Sequence, residues 1–220
     1  MKAIGLTVTS MTLLAILLQA SGCRIETLPK DINDRIVREI DFGDYAAALS
    51  NLDKMQRFAA VVDMAWVHGE RGYVLMKQRK YDAAVVEMTK SIEIDPSSAS
   101  VYNNRGLSFE NLGKLAEAEA DYSTAIDLES DKSRRYTERA AFYFNVGRLE
   151  ESLRDTEQAI SLDAQDPENY LRRADTRTRL KQIDRRKDII ADLRKVIELQ
   201  PVGILRDGAV ARLTTLGIEP

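Results

Sequence analysis

An all-α solenoid of stacked helix pairs is the fold class this sequence predicts, and three periodicities carry the prediction. An Arg recurs every 34 residues, at Arg71, Arg105, Arg139 and Arg173, and a small residue follows each: Gly72, Gly106, Ala140 and Ala174. Three positions ahead of each Arg stands a ring: His68, Tyr102, Tyr136 or Tyr170. Tyr81, Leu115, Leu149 and Ile183 keep the same period, as do Ile92, Ile126 and Ile160. A fixed period of this length marks a stacked array in which no unit buries its apolar side alone.

Within one period two helical stretches flank a Gly, and the unit closes in a turn such as Asp95-Pro96. The best copies carry Gly72, Tyr81, Ala84, Ser91, Ile92, Ile94 and Pro96, then Tyr102, Gly106, Gly113, Ala118, Ala125, Ile126 and Leu128. This pattern resembles the tetratricopeptide repeat. The resemblance implies antiparallel helix pairs stacked into a right-handed superhelix with a concave inner face, here closed by a C-terminal capping helix. Departures are local. His68 fills a Trp or Tyr slot, and Ser130 and Ala164 stand where a closing Pro is usual, which leaves the register intact.

Residues 1–22 read as a targeting segment: Lys2 gives the positive start, an apolar run passes through Leu13, Leu14, Ile16, Leu17 and Leu18, and Ala20, Ser21 and Gly22 end it. The ending Ala20-Ser21-Gly22-Cys23 is similar to the lipobox of bacterial lipoproteins, with Ala20 departing from the usual Leu. In that family the Cys is acylated and becomes the new N-terminus, so Cys23 is the expected lipidation site. An ordinary secretion signal and an uncleaved anchor helix are the alternatives. The second is weakened because Thr7, Thr9, Ser10 and Thr12 interrupt a run that barely reaches the ~20 residues a span needs. Acyl chains would hold the protein on a membrane at about 0.8 kcal/mol per buried methylene. Lipoproteins kept in the inner membrane tend to carry Asp after the Cys. Arg24 stands there instead, so the resemblance implies the outer membrane, facing the periplasm.

Residues 23–30 are then the lipidated Cys and a tether containing Pro29. A degenerate first repeat covers 31–64, where Ile32, Ile36, Val37 and Ile40 lie at helical spacing and Gly43-Asp44-Tyr45 punctuates. Regular repeats follow at 65–98, 99–132 and 133–166. A further one, 167–201, opens on Pro167, a good first-turn residue. It holds three extra residues within 179–187, since Ile197 lies 37 after Ile160. Residues 202–220, with Ile204, Val210, Leu213 and Leu216, form a capping helix over the exposed apolar end.

Charge and composition exclude several functions. The chain is 220 residues long with a formal net charge of −3, so it lacks the basic excess on which nucleic-acid binding relies. One Cys and one His leave little for metal or nucleophile chemistry, and no Gly-rich phosphate loop, HExxH or GxSxG occurs. No catalytic residue, metal or cofactor is expected, and no enzyme activity.

Two sets of candidate residues remain. Arg71 and Glu87, Arg105 and Asp121, and Arg139 and Asp155 are each 16 apart, and Arg173 and Asp192 match once the insertion is counted. The acid recurs as faithfully as the Arg, so these are read as structural ion pairs between helices rather than as a row of free cations. The second set comes from the resemblance, in which the first helix of each repeat lines the concave groove. It implies partner-binding roles for Tyr73, Met76, Asn103, Asn104, Leu107, Arg134, Thr137, Phe144 and Arg172. The family's carboxylate clamp for acidic C-terminal peptides is not implied. Asn104 and Arg134 match two of its positions, but Gly69, Tyr73 and Glu138 occupy three that need Lys, Asn and basic residues. The expected function is a membrane-anchored periplasmic adaptor that holds a protein or peptide in this groove during assembly of an envelope complex. A self-assembling array and an accessory part of an envelope enzyme are the rival readings, and the oligomeric state stays open.

Overall fold

The computed structural model describes residues 32–57, 63–181 and 185–219. The leader at 1–22, Cys23, the tether and Ile183 lie outside the described residues. Among those described there are eleven α-helices and no strand. The helices fall into two compact bodies, one before Asp63 and one from Asp63 onward.

The first body is an antiparallel pair, α1 (Ile32–Asp41) and α2 (Tyr45–Gln56). Ile36, Ile40, Ala48, Leu52 and Met55 are buried, the apolar stripe that their spacing predicts. Asp44 caps α2 by accepting a hydrogen bond from Ala47 N at 3.1 Å. Asn51 Nδ2 donates to both Glu39 carboxylate oxygens, at 2.8 and 3.0 Å, and so ties the two helices by polar contact as well.

The second body holds four helix pairs: α3 (Met64–Lys77) with α4 (Tyr81–Ile94), α5 (Ala99–Asn111) with α6 (Leu115–Leu128), α7 (Ser133–Asn145) with α8 (Leu149–Leu162), and α9 (Pro167–Arg179) with α10 (Arg186–Leu199). A last helix, α11 (Ile204–Thr215), packs on α10 and also reaches α9. Each second helix lies between its own first helix and the next, and the first helices touch one another in a row. Small residues set how closely each pair approaches. A Cβ at Gly106 would lie 3.3 Å from both the Ala118 carbonyl oxygen and Asp121 Cβ, and one at Gly72 would meet Met88 Cγ at 2.5 Å. At the far end α11 covers Ile189, Leu193 and Val196 with Ala209 and Leu213, so the end of the stack is not left apolar to solvent.

The turn inside each pair requires a left-handed residue two positions past the end of the first helix. Gly113 (φ 74°) and Gly147 (φ 83°) supply it, and Gly113 N bonds back to Glu110 O while Lys114 N bonds to Phe109 O. In two pairs the same slot is filled without Gly, by Arg79 (φ 60°) and Lys181 (φ 54°). A left-handed conformation costs a residue with a Cβ about 1–2 kcal/mol. A Cβ at Gly113 would meet nothing within 4 Å, so any penalty there comes from the backbone and not from a clash. Gly113→Val should therefore lower stability by about 1–2 kcal/mol, while Arg79→Gly should be neutral or raise it by up to about 1 kcal/mol. Urea denaturation of the two variants reads this directly, and equal losses in both would count against the account.

Candidate functional site

The inner row of first helices carries an open pocket of about 370 Å³. Trp66, Glu70 and Tyr73 reach it from α3, Asn103 and Asn104 from α5, and Arg134 and Arg135 from α7. Trp66, Glu70 and Tyr73 lie at four- and three-residue steps along α3, so that helix presents one polar and aromatic strip to the pocket, while α5 and α7 each contribute a pair of adjacent polar residues. The α3 strip is fixed at its start, because Asp63 caps the helix through Trp66 N at 3.1 Å.

Of the groove residues read from the sequence, Tyr73, Asn103, Asn104 and Arg134 come together in this pocket. Leu107, Phe144 and Arg172 are not among its lining residues. Leu107 is exposed further along α5. Phe144 is half-buried beneath Arg179, whose guanidinium lies 4.4 Å from the ring centroid and donates to the Phe144 carbonyl at 2.9 Å. Arg172 donates to Glu168 at 2.8 Å. Two expected groove residues are corrected. Met76 is buried against Ala84 and Met88, and Thr137 is buried with its hydroxyl donating to Asn169 Oδ1 at 2.7 Å. Both lie on the side of their helix that faces the neighbouring helices, so they pack rather than present. Glu70 was not singled out in the sequence, although it lies four residues from Trp66 and three from Tyr73, on the strip that faces the pocket.

The recurring Arg residues occupy a different layer. Arg105 grips Asp121 with two parallel bonds of 2.8 Å, and Arg139 grips Asp155 at 2.7 and 2.9 Å. Arg173 holds Asp192 at 3.0 and 2.6 Å. The remaining guanidinium nitrogen reaches back to the preceding second helix: Arg105 to Thr89 Oγ1 at 3.1 Å, Arg139 to Ser123 Oγ at 3.0 Å. Thr89, Ser123 and Glu157 are themselves 34 apart, a period the sequence reading passed over. In the last pair Glu157 receives Arg177 at 3.4 Å, and Arg177 also donates to Asp192 at 2.8 Å. Hydrogen bonding to Asp121 and Asp155 raises the Arg105 and Arg139 guanidinium groups above their ordinary values, against the opposing effect of burial.

The first rung differs at its acid. Glu87 is held by His68 Nδ1 at 2.7 Å and by Lys90 Nζ at 2.7 Å. Glu is one methylene longer than the Asp of the other rungs, and His68 offers a nitrogen where those rungs have a Tyr ring. Burial would raise the Glu87 carboxyl, but the hydrogen bonds from Lys90 and His68 outweigh it and hold the group below its ordinary value.

A second polar layer joins α5 through α8. Tyr122 donates to Glu110 at 3.0 Å and Tyr143 to Glu119 at 2.8 Å, while Arg148 donates to Glu119 at 2.6 Å. Burial, then the Glu119 hydrogen bond, push the Tyr143 phenol from 10.0 up to about 12. Among the described residues no group of three or more His, Cys, Asp or Glu side chains is placed to hold a metal, and no helix is long and apolar enough to cross a membrane.

Comparison with known proteins places this geometry. The tetratricopeptide repeat family model matches residues 99–132, and a TPR repeat model matches residues 72–113. No curated protein matches the chain. Among solved structures it is similar to the first TPR of Spaghetti (RPAP3) bound to the HSP90 peptide SRMEEVD, at 31% identity and a TM-score of 0.50. That match covers 55% of this chain and 97% of the other. It is also similar to a thermophilic TPR protein of Thermus thermophilus, at 16% identity, TM-score 0.67, and 84% and 98% coverage. MamA from Desulfovibrio magneticus RS-1 gives 17% identity, TM-score 0.64, and 80% and 98% coverage. The last two likenesses bear on the fold alone.

Two outcomes follow from the polar layers. Arg139→Leu strands a nearly buried Asp155 and should cost about 3–5 kcal/mol, whereas Arg134→Leu removes an exposed pair and should cost about 0–1 kcal/mol; urea denaturation separates the two. The folded Tyr143 pKa lies above the unfolded one, so its neutral phenol contributes stability that is complete below pH 10 and lost as pH rises towards about 12. Tyr143→Phe should flatten the fall in melting temperature across that window, and an unchanged alkaline limb would count against the assigned hydrogen bond.

Proposed function

We propose that this chain, an array that carries tetratricopeptide repeats, is an envelope adaptor, tethered through an acylated Cys23 and binding a segment of another protein along its inner row of helices. The fold is a scaffold for protein–protein interaction, and proteins built on it are in general scaffolds rather than enzymes. The observation that carries the reading is the pocket itself. Trp66, Tyr73, Asn103, Asn104 and Arg134 converge there from three successive first helices, while the periodic Arg residues that would otherwise compete for a ligand are committed to helix pairing. Amides and rings in a groove suit an extended or helical peptide, whose backbone they can bond and whose side chains they can flank. The first TPR of RPAP3 is bound to an HSP90 peptide, SRMEEVD, in its own structure.

The tether rests on the lipobox-like Ala20-Ser21-Gly22-Cys23 and on the apolar leader before it. With Arg24 following, the destination is the outer membrane, periplasmic side, where the adaptor would serve assembly of a larger complex. The test is photo-crosslinking in cells from Asn104 and, as a second position on the row, Phe144, combined with palmitate labelling. The adaptor reading expects one recurrent protein partner trapped from Asn104, and label that disappears in Cys23→Ala. Crosslinks only to a second copy of this chain would favour the self-assembling array. Label that persists without Cys23 would end the lipoprotein reading.

A further inference from the structure

The charges around the Trp66 pocket are unevenly committed. Both of its guanidinium groups are engaged. Arg134 donates to Glu138 at 2.8 Å, and the buried Arg135 donates to Glu129 at 2.7 Å, Glu138 at 2.9 Å and Ser100 at 2.9 Å. Asp63 and Asp95 line the same pocket and are occupied by backbone N–H groups, of Trp66 and Ser97. Glu70 makes no ion pair with any described residue. Burial pushes its carboxyl above the ordinary value, and no neighbouring cation opposes that effect. Asn103 is 7% exposed and lines the pocket, and its Oδ1 is buried without a hydrogen-bond partner.

The unspent groups are thus acceptors and a negative charge, set beside the Trp66 ring; the Tyr73 ring already has Lys77 Nζ 5.5 Å from its centroid. Ring faces attract cations, and a half-buried carboxylate without a counter-charge gains most from one. An incoming anion would instead meet Glu70, and it would have to displace Glu138 or Glu129 to reach either guanidinium. We propose that this pocket receives a basic side chain, lysine or arginine, of the partner segment, with Glu70 as its counter-charge and Asn103 Oδ1 as a second acceptor. The inference rests on the adaptor reading and supplies the chemistry by which that groove would choose its partner.

Trp66 is the only Trp in the chain, so its emission reports on this pocket without a label. The probes are acetylated and amidated peptide pools, identical except for a central Lys, Arg, acetyl-lysine, Gln or Glu, titrated into the full-length protein. The Lys or Arg pool should shift Trp66 emission at a concentration about tenfold lower than the other three, the effect of one charge-assisted hydrogen bond in a half-buried site. Which of the two is stronger distinguishes ammonium from guanidinium. Glu70→Gln should abolish the preference while leaving the helical circular dichroism unchanged. The comparison of Lys with acetyl-lysine needs no variant, so it decides even if a substitution impairs folding. Equal potency of all pools, preference for Glu, or no response from any pool would overturn the proposal. If crosslinking from Asn104 still traps a partner in that case, the adaptor reading survives the loss of this one; if it traps none, both fall together.

Discussion

The two-pronged bond between a helix-borne Arg and an Asp on the facing helix is the constraint on which the array depends. Each of Arg105, Arg139 and Arg173 meets its acid side-on with two short bonds, and the first two spend their remaining nitrogen on a hydroxyl of the preceding pair. A buried ion pair adds little net stability over a well-packed apolar contact, because desolvation offsets most of the Coulomb gain. What a planar guanidinium fork does add is geometry, since it accepts a carboxylate in few orientations. Repeated once per helix pair, it fixes the turn of one helix against another and the seat of one pair on the next. Stacked helices with only a smooth apolar seam would be freer to slide.

That commitment also shapes what is left for a ligand. With the periodic cations spent inside the joints, the inner face offers amides, rings and an uncompensated carboxylate. The small residues act in the same direction. Gly72 and Gly106 let paired helices approach to backbone distance, while Trp66 and Tyr73 line the pocket and Tyr73 also packs on the joint formed by Met76, Ala84 and Met88. In the proposed reading, stability and recognition fall on different strips of the same helices, with Tyr73 shared between them. Tyr73 apart, a change on one strip need not disturb the other.

Much of the architecture is visible in the sequence because a repeat writes its spacing several times over. The period of Arg71, Arg105, Arg139 and Arg173, with an acid 16 residues on, is enough to set Arg105 against Asp121 and Arg139 against Asp155. What was hidden depends on single copies. Nothing in the sequence announces that Arg79 and Lys181 adopt the left-handed turn that Gly113 and Gly147 occupy, because the stack imposes it against local preference. The hold of His68 on Glu87 turns on one methylene and on His68 replacing a Tyr. Met76 and Thr137 lie at helix positions where a rotation of a few tens of degrees separates groove from interior, finer than periodicity resolves. Glu70 escaped notice because an acid on a charged helix looks like solvation until its lack of a counter-charge is seen.

Native-state hydrogen exchange on Arg139→Gln, compared with the unaltered chain, tests the jointing role of the periodic Arg most directly. If Arg139 clamps its own pair and seats it on the one before, amides should lose protection in both Leu149–Leu162 and Leu115–Leu128, while Arg186–Leu199 keeps its own. Protection retained in both neighbouring helices, together with weakened capture of the partner, would contradict the account and return Arg139 to the ligand.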